Sequence, residues 1–312
     1  MKLLTTTSSF GRADRSPLDY LESQGCEVIP NPHGRTLTED EVLDLLNQHR
    51  PTGLIAGVEP LTGRVLQETA SFLKVISRCG TGLDNVDLQM AKSLGIPVLN
   101  TPEAPAEAVA ELTIGLIFCL LRNITLHNHA VRAGLWTKKM GMLLSETTVG
   151  IMGLGRIGKR VAAFLEALGT TVIASDIYPD QAWLAAHHVT LVSADELLPA
   201  SDLVTLHLPT ATGEMYHYMN AKRFARMKQG AFLVNTSRGA LVDEEALCEA
   251  LTSEHLAGAA IDTFEQEPYK GALLNQPNVI FSPHAGSYAR ATRARMELEA
   301  AQNLVGDLKN LG

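Results

Sequence analysis

The chain has 312 residues and a mass of 33.6 kDa, which is the size of two ordinary domains. Hydrophobic residues make up 46% of it and charged residues 19%, a globular composition that excludes intrinsic disorder. The net charge of −8 and the pI of about 5.7 argue against general binding to nucleic acid, which favours a basic face.

The cysteines and the first residues indicate a cellular compartment. Four cysteines are scattered without a CxxC pair (Cys26, Cys79, Cys119 and Cys248), which argues against a disulfide framework and against a zinc site. Met1 to Leu4 lead directly into Thr, Ser and Gly, so we expect no secretory signal. The most apolar helix candidate, residues 108–121, is shorter than the roughly 20 apolar residues of a bilayer span. We therefore expect a soluble cytoplasmic protein without a bound metal or a membrane partner.

The first hundred residues alternate between predicted strands and helices. The predicted strands are Lys2–Thr6, Glu27–Ile29, Leu54–Ala56, Lys74–Ser77 and Pro97–Asn100. The predicted helices are Pro17–Gln24, Glu41–Gln48 and Asp87–Leu94, the second of which is opened by the capping box Thr38-x-x-Glu41. Such alternation is typical of a parallel, doubly wound sheet.

Long helices are predicted from Pro105 to about Arg132, and their apolar run Leu112–Leu121 must be buried in a core or in a subunit interface. A second series of strands follows from Thr148 onwards, with helices between the strands. Its later members are Thr190–Val192, Leu203–Leu206, Ala231–Asn235, Gly258–Asp262 and Val279–Ser282. The tail from Arg290 to Leu308 is predicted as one amphipathic helix that docks on an existing domain.

The segment from Thr148 to Lys159 carries the strongest functional signal in the chain. An apolar β-branched run meets Gly153-x-Gly155-x-x-Gly158, and a helical pattern follows directly. The first glycine permits a tight turn, the second lets the backbone approach a pyrophosphate, and the third lets the helix pack on the strand. The helix N-terminus, with Arg156 and Ile157, offers N–H groups and a positive dipole end to phosphates.

An acid follows the next predicted strand, residues 171–174. Asp176 lies 176 − 158 = 18 residues after the third glycine, where its carboxylate can accept hydrogen bonds from the adenosine ribose hydroxyls. Because Asp176 would repel a 2′-phosphate and no arginine follows it directly, NAD is expected in preference to NADP. Together these features predict a dinucleotide site.

Three further segments place chemical groups at the ends of predicted strands, where open α/β sheets bind ligands. They contain Arg238, Glu267 and His284. Arg238 could hold a substrate carboxylate and polarise a neighbouring carbonyl. His284 could exchange a proton with the hydroxyl or carbonyl oxygen, and Glu267 could fix its orientation. One such residue alone is usually structural, but this combination beside a dinucleotide motif predicts hydride transfer.

The chain resembles the D-isomer-specific 2-hydroxyacid dehydrogenases, and within them the phosphoglycerate dehydrogenase-like branch that lacks a C-terminal regulatory domain. The segments that carry the resemblance cover nearly the whole chain: 78–87 (RCGTGLDNVD), 100–102 (NTP), 109–111 (VAE), 153–158 (GLGRIG), 207–209 (HLP), 235–239 (NTSRG), 262–268 (DTFEQEP) and 283–284 (PH). The family's catalytic set of Arg, Glu and His falls on Arg238, Glu267 and His284. Glu267 is chosen over Glu265 because it precedes the proline.

The resemblance also implies binding contacts. For the cofactor, they fall on Asp262 and Thr236 at the nicotinamide, on His207 and Pro209 at the adenine side, and on Gly286. For the substrate, they fall on the backbone N–H groups of Thr81 and Gly82 and on Arg78, which matches a position linked to anion binding.

The implied architecture is two doubly wound parallel-sheet domains. A flavodoxin-like substrate domain would comprise residues 1–99 with the C-terminal helix 285–312, and a Rossmann-like NAD-binding domain would comprise residues 100–284. In the family the active site lies in the cleft between the domains, and the long helices after Asn100 form a large dimer interface. A homodimer is therefore expected.

The substrate implied by the resemblance is a small 2-hydroxy or 2-keto acid, with 3-phosphoglycerate slightly favoured. Two departures favour smaller acids such as hydroxypyruvate or glyoxylate. The turn after residues 100–102 reads Glu103-Ala104-Pro105-Ala106, and the loop after Leu54–Ala56 contains Glu59, where an acid would repel a phosphate. The alternatives are an NAD-responsive binding protein, such as a transcriptional corepressor, and formate or phosphite oxidation.

Overall fold

The computed structural model describes residues 1–209 and 213–310. The described chain divides into two compact units. Unit 1 comprises the N-terminal part up to Pro105 together with the tail from Tyr288, and unit 2 comprises Ala106–Ser287. Leu311 and Gly312, which the predicted C-terminal segment includes, lie outside the described residues.

Unit 1 contains a sheet of five parallel strands within its described residues, in the order β2-β1-β3-β4-β5. The strands are β1 (Lys2–Thr5), β2 (Glu27–Ile29), β3 (Gly53–Ala56), β4 (Val75–Arg78) and β5 (Val98–Leu99). The helices are α1 (Ser16–Ser23), α2 (Glu39–His49), α3 (Gly63–Thr69), α4 (Leu88–Ser93) and, at the tail, α12 (Arg290–Asn310). The strand order reverses at β1, whose carboxyl end is therefore the point where such sheets bind ligands.

The predicted strands of unit 1 are all present, and α2 begins at the predicted capping box. The Thr38 side chain accepts a hydrogen bond from the N–H of Glu41, and the Glu41 side chain accepts one from the N–H of Thr38. The tail helix α12 packs on β3 and β4 of the same unit, with Leu304 and Val305 buried. The tail thus packs on the sheet of unit 1.

Unit 2 contains a sheet of seven parallel strands within its described residues, in the order β12-β11-β10-β9-β6-β7-β8. The strands are β6 (Thr148–Met152), β7 (Thr171–Ser175), β8 (Val189–Leu191), β9 (Leu203–Leu206), β10 (Ala231–Asn235), β11 (Leu256–Ile261) and β12 (Val279–Phe281). The helices are α5 (Pro105–Leu121), α6 (Ile124–Arg132), α7 (Arg156–Ala167), α8 (Gln181–Ala185), α9 (Ala194–Ala200), α10 (Ala221–Phe224) and α11 (Glu244–Thr252). Two doubly wound parallel sheets agree with the predicted fold class.

Helix α5 contains the apolar run that we expected to lie in a core or an interface. Its side chains Leu116, Ile117, Leu120 and Leu121 are buried in the hydrophobic core of unit 2 itself, so a partner subunit is not needed to cover them. The exposed apolar side chains of this helical region lie further along the chain, in α6 and the segment after it. They include Val131, Leu135, Trp136, Met140 and Leu143. No single helix among the described residues is long and apolar enough to cross a membrane, and α5 and α6 pass that test only as a pair bent by 62°.

Candidate active site

The glycine turn after β6 has the geometry of a phosphate-binding loop. Gly153 has a φ of +93°, and a Cβ there would collide with the carbonyl oxygen of His207, so only glycine allows β6 and β9 to meet at this point. Gly155 caps α7 without a side-chain hydrogen bond, and the space above it is open. Helix α7 starts here with Arg156, Ile157 and Gly158, and the first turn of a helix is where N–H groups can bind an anion. These residues fit a dinucleotide pyrophosphate.

Asp176 lies at the carboxyl end of β7, beside the glycine turn. Its Oδ2 accepts a hydrogen bond from the N–H of Leu154 at 2.6 Å, and its Oδ1 accepts one from the N–H of Tyr178 at 2.7 Å. An ionised carboxylate has about four acceptor sites, so both oxygens retain capacity for ribose hydroxyls. The carboxylate is therefore held in place before any ligand binds.

His207 follows β9 at the same switch point of the sheet. Its Nε2 lies 3.0 Å from the Thr205 hydroxyl, whereas its Nδ1 is buried without a hydrogen-bond partner among the described residues. Burial lowers the pKa of His207 to about 3, so the ring is neutral at pH 7. Pro209 is exposed two residues later. A neutral ring at this position suits contact with an uncharged base.

His284 and Glu267 form a hydrogen-bonded pair. His284 Nδ1 lies 2.9 Å from Oε2 and 3.1 Å from Oε1 of Glu267. Burial alone would raise the pKa of Glu267, but the hydrogen bond and charge of His284, the N–H of Phe264 and the charge of Arg238 together lower it. Glu267 is therefore ionised at neutral pH, and it orients His284 so that Nε2 is the nitrogen left for proton exchange.

Arg238 lies three residues after the end of β10, the strand next to β11. Its backbone is fixed by Asn235, whose amide donates to the Arg238 carbonyl oxygen at 2.9 Å and whose Oδ1 accepts from the Ser237 N–H at 3.0 Å. The Arg238 guanidinium donates to the Ser237 carbonyl oxygen at 2.8 Å and acts electrostatically on Glu267. The three residues predicted to perform the chemistry are thus supplied by one edge of one sheet.

Asp262 was expected to contact the nicotinamide, and its carboxylate is engaged with the backbone that carries His284. It is fully buried, with Oδ1 accepting from the Ser282 hydroxyl at 2.5 Å and the Ala285 N–H at 2.8 Å, and Oδ2 accepting from the Gly286 N–H at 3.0 Å. The Asp262 carbonyl oxygen accepts from the His284 N–H at 2.8 Å. Asp262 therefore holds His284 in its unusual conformation, with a φ of +52°.

Thr236 also has an internal partner. Its hydroxyl lies 2.8 Å from that of Thr113, which bonds to the Val109 carbonyl oxygen in the preceding turn of α5. The pair ties α5 to the end of β10. Asn235, Ser282 and Thr113 are positioning residues whose roles sequence reasoning missed. Of the three, Asn235 lies within the 235–239 motif.

Unit 1 holds the three residues predicted to bind the substrate. The carbonyl oxygen of Thr81 accepts from the Asn100 amide at 2.7 Å, and the Gly80 N–H donates to the Thr101 hydroxyl at 2.8 Å. The backbone N–H groups of Thr81 and Gly82 form no hydrogen bond within the described part of the chain, so they are available to a carboxylate.

Glu59 lies in the loop after β3, and its side chain is turned inward. The sequence placed this acid on a loop where it would repel a phosphate, but its side chain is fully buried. Its Oε1 accepts from the Thr6 hydroxyl and from the Gly57 N–H at 3.0 Å. Burial raises the pKa of Glu59, against the effects of these hydrogen bonds and of the nearby Arg78 charge. Burial therefore favours the neutral form of Glu59, while the Arg78 charge favours its ionised form.

Comparison with known proteins extends these observations. Residues 114–286 match the family described as "D-isomer specific 2-hydroxyacid dehydrogenase, NAD binding domain". The D-3-phosphoglycerate dehydrogenase of Pongo abelii is 38% identical over 296 residues, which cover 93% of this chain and 54% of that protein. The hydroxypyruvate reductase of Thermotoga maritima is 38% identical over 301 residues, covering 93% of this chain and 96% of that protein.

The fold is also similar to that of a solved structure. The D-lactate dehydrogenase of Aquifex aeolicus, in complex with NAD and lactic acid, superposes with a TM-score of 0.86 at 26% identity, covering 99% of this chain and 96% of that one. The chain spans about half the length of the D-3-phosphoglycerate dehydrogenases that it matches. The chain belongs to the D-isomer specific 2-hydroxyacid dehydrogenase family, and its residues 114–286 match that family's NAD-binding domain.

Proposed function

We propose that the protein interconverts a D-2-hydroxy acid and its 2-keto acid by NAD-dependent hydride transfer. The observation that carries this proposal is the His284–Glu267 pair, at 2.9 Å, on the sheet edge that also presents Arg238 and the glycine turn. Unit 2 would bind the cofactor, and unit 1 would supply substrate recognition through Arg78 and the N–H groups of Thr81 and Gly82.

The roles of the residues follow from their contacts. Bound NAD would accept the hydride from the substrate carbon or, as NADH, return it. His284 Nε2 would take the proton of the hydroxyl group in oxidation and return it in reduction, while Glu267 stabilises the imidazolium. Arg238 would bind the substrate carboxylate and polarise the adjacent carbonyl. On the cofactor, the proposed contacts are those of Asp176, His207 and Pro209 with the adenosine half and of Thr236, Asp262 and Gly286 with the nicotinamide half.

The substrate has a carboxylate next to the reacting carbon. Relatives named for 3-phosphoglycerate and for hydroxypyruvate are equally similar at 38% identity, so both the phosphorylated acid and the smaller acids are candidates. The 3-phospho acid is slightly favoured because Arg78 matches a position linked to anion binding. Simple alcohols and aldehydes, which lack the carboxylate, would be inert.

Steady-state assays test the proposal. We expect turnover of 2-keto acids with NADH in preference to NADPH, because Asp176 would repel a 2′-phosphate. The panel compares 3-phosphohydroxypyruvate, hydroxypyruvate and glyoxylate in the wild type and in Arg78→Ala. If no member of the panel is reduced while NADH still binds, the proposal fails and an NAD-responsive binding protein takes its place.

We further propose a cytoplasmic homodimer. The exposed apolar side chains of α6 and of the segment after it, Trp136 and Met140 above all, support a subunit contact, and the unbonded cysteines support a reducing compartment. Light scattering would give a dimer mass of 2 × 33.6 = 67.2 kDa. A mass of one subunit at micromolar concentration would contradict the dimer.

A further inference from the structure

A second glutamate lies two residues before Glu267, and its side chain is directed elsewhere. The Glu265 carboxylate accepts a hydrogen bond from the Tyr216 hydroxyl and lies 3.1 Å from His217 Nε2. Tyr216 and His217 stack on each other with ring centroids 4.0 Å apart. The three side chains thus join the loop after β11 to the short helical turn near Met215.

The backbone of the same loop is packed against the loop after β10. The Glu265 N–H donates to Glu244 Oε1 at 3.0 Å. A Cβ on Gly239, the residue after Arg238, would collide with the Phe264 carbonyl and the Glu265 nitrogen, so the two loops are in direct contact. A displacement of Glu265 would therefore be transmitted both to Glu267 and to the backbone beside Arg238.

The charges around this cluster favour an ionised Glu265. The hydrogen bond from Tyr216 lowers the pKa of Glu265 most, and His217 lowers it further against the effect of burial. Two other acids face the cluster. Asp243 lies 3.9 Å from His217 Nδ1, and burial raises the pKa of Glu244. Glu265 is thus the acid that His217 and Tyr216 both engage.

We propose that Glu265, Tyr216 and His217 form a latch that fixes the loop after β11 and thereby sets the contact between Glu267 and His284. Glu265 is a positioning residue in this account, because it acts through Glu267 and does not itself meet His284. The catalytic part of the inference rests on the proposed function, whereas the geometric part does not.

The test replaces Glu265 with Ala and, separately, with Gln. Without the carboxylate the loop loses its attachment, so we expect Glu265→Ala to lower kcat/KM about tenfold. We also expect the pKa of Glu267, followed by carbon-13 NMR titration, to rise toward its ordinary value. Glu265→Gln keeps an acceptor oxygen for Tyr216 and should recover part of both losses, and Tyr216→Phe should reproduce part of them. Glu249→Ala, an exposed acid on α11, is the matched control and should change neither.

A double mutant separates positioning from general destabilisation. In a Glu267→Gln background the latch has no carboxylate left to position against His284, so adding Glu265→Ala should leave the pH profile of kcat/KM unchanged. An additive loss of kcat/KM in the double variant, across the pH profile, would overturn the proposal. An unchanged pKa of Glu267 in Glu265→Ala would also overturn it. The NMR measurement does not depend on turnover. A wild type without dehydrogenase activity would therefore contradict the proposed function, and the pKa of Glu267 would still test whether the latch fixes the loop.

Discussion

The polar side chains at the carboxyl edges of the two sheets interact in different ways. In unit 2 the polar side chains at the edge bind one another in a closed network. Asp262 holds the turn of His284, Asn235 holds the backbone of Arg238, and Glu267 holds the His284 ring. In unit 1 the edge holds a fully buried acid, Glu59, on which Arg78 acts electrostatically.

The difference indicates where each kind of mutational effect should appear. A network of fixed hydrogen bonds preorganises reacting groups, so its disruption should lower the rate for every substrate. A balance between a buried acid and a nearby arginine sets the local potential, so its disruption should change which substrate is preferred. Substitutions on the two edges can therefore be used to break or to sharpen this comparison.

The largest effect is expected in unit 2, at His284. His284→Ala removes the group proposed to exchange the proton, and general acid–base catalysis contributes roughly 10²–10⁴-fold in rate. Single-turnover and steady-state reduction of a 2-keto acid should both show the loss. Glu267→Gln should instead shift the pH dependence, because the imidazolium loses its charged partner. Wild-type turnover in His284→Ala would show that the network serves structure alone.

Much of this edge was predictable from the sequence, because its signals are local. Strand periodicity predicted β10, β11 and β12, which Arg238, Glu267 and His284 follow, and the glycine pattern predicted the turn after β6. The partners of Asp262 and Glu59 were not predictable, since each is chosen by residues distant in sequence and by the direction in which a side chain turns. The same limit applies to α5, whose apolar run gave no indication of what would cover it.

A smaller and selective effect is expected in unit 1, at Glu59. Glu59→Gln removes the ionisable group whose charged form Arg78 favours, while keeping an acceptor for Thr6. The ratio of kcat/KM for 3-phosphohydroxypyruvate over hydroxypyruvate should therefore rise, by at most about tenfold. Glu68→Gln, an exposed acid on α3, is the control. An equal change for both substrates would mean that Glu59 maintains the fold of unit 1 and that the contrast between the two edges is not one of charge.

The last effect concerns stability and not turnover, and it tests the neutral ring of His207. The folded protein resists protonation of this ring down to about pH 3, whereas an unfolded histidine takes up a proton near pH 6.5. The free energy of unfolding should therefore be highest above pH 6.5 and should decrease as the pH falls toward 4. The slope corresponds to at most one proton taken up on unfolding. Denaturant titrations of wild type and His207→Asn measure this slope, and identical slopes would assign the dependence to other groups.

The docking of α12 on unit 1 has a consequence for biosynthesis. Unit 2 is one continuous stretch of chain, whereas unit 1 is made from the first 105 residues and the last segment. During translation all of unit 2 emerges before the residues that cover Leu3 and Val75 on the sheet of unit 1. Until the tail is made, the N-terminal sheet therefore lacks the α12 side chains that cover one of its apolar faces, and transiently exposed apolar surface of this kind is prone to aggregation.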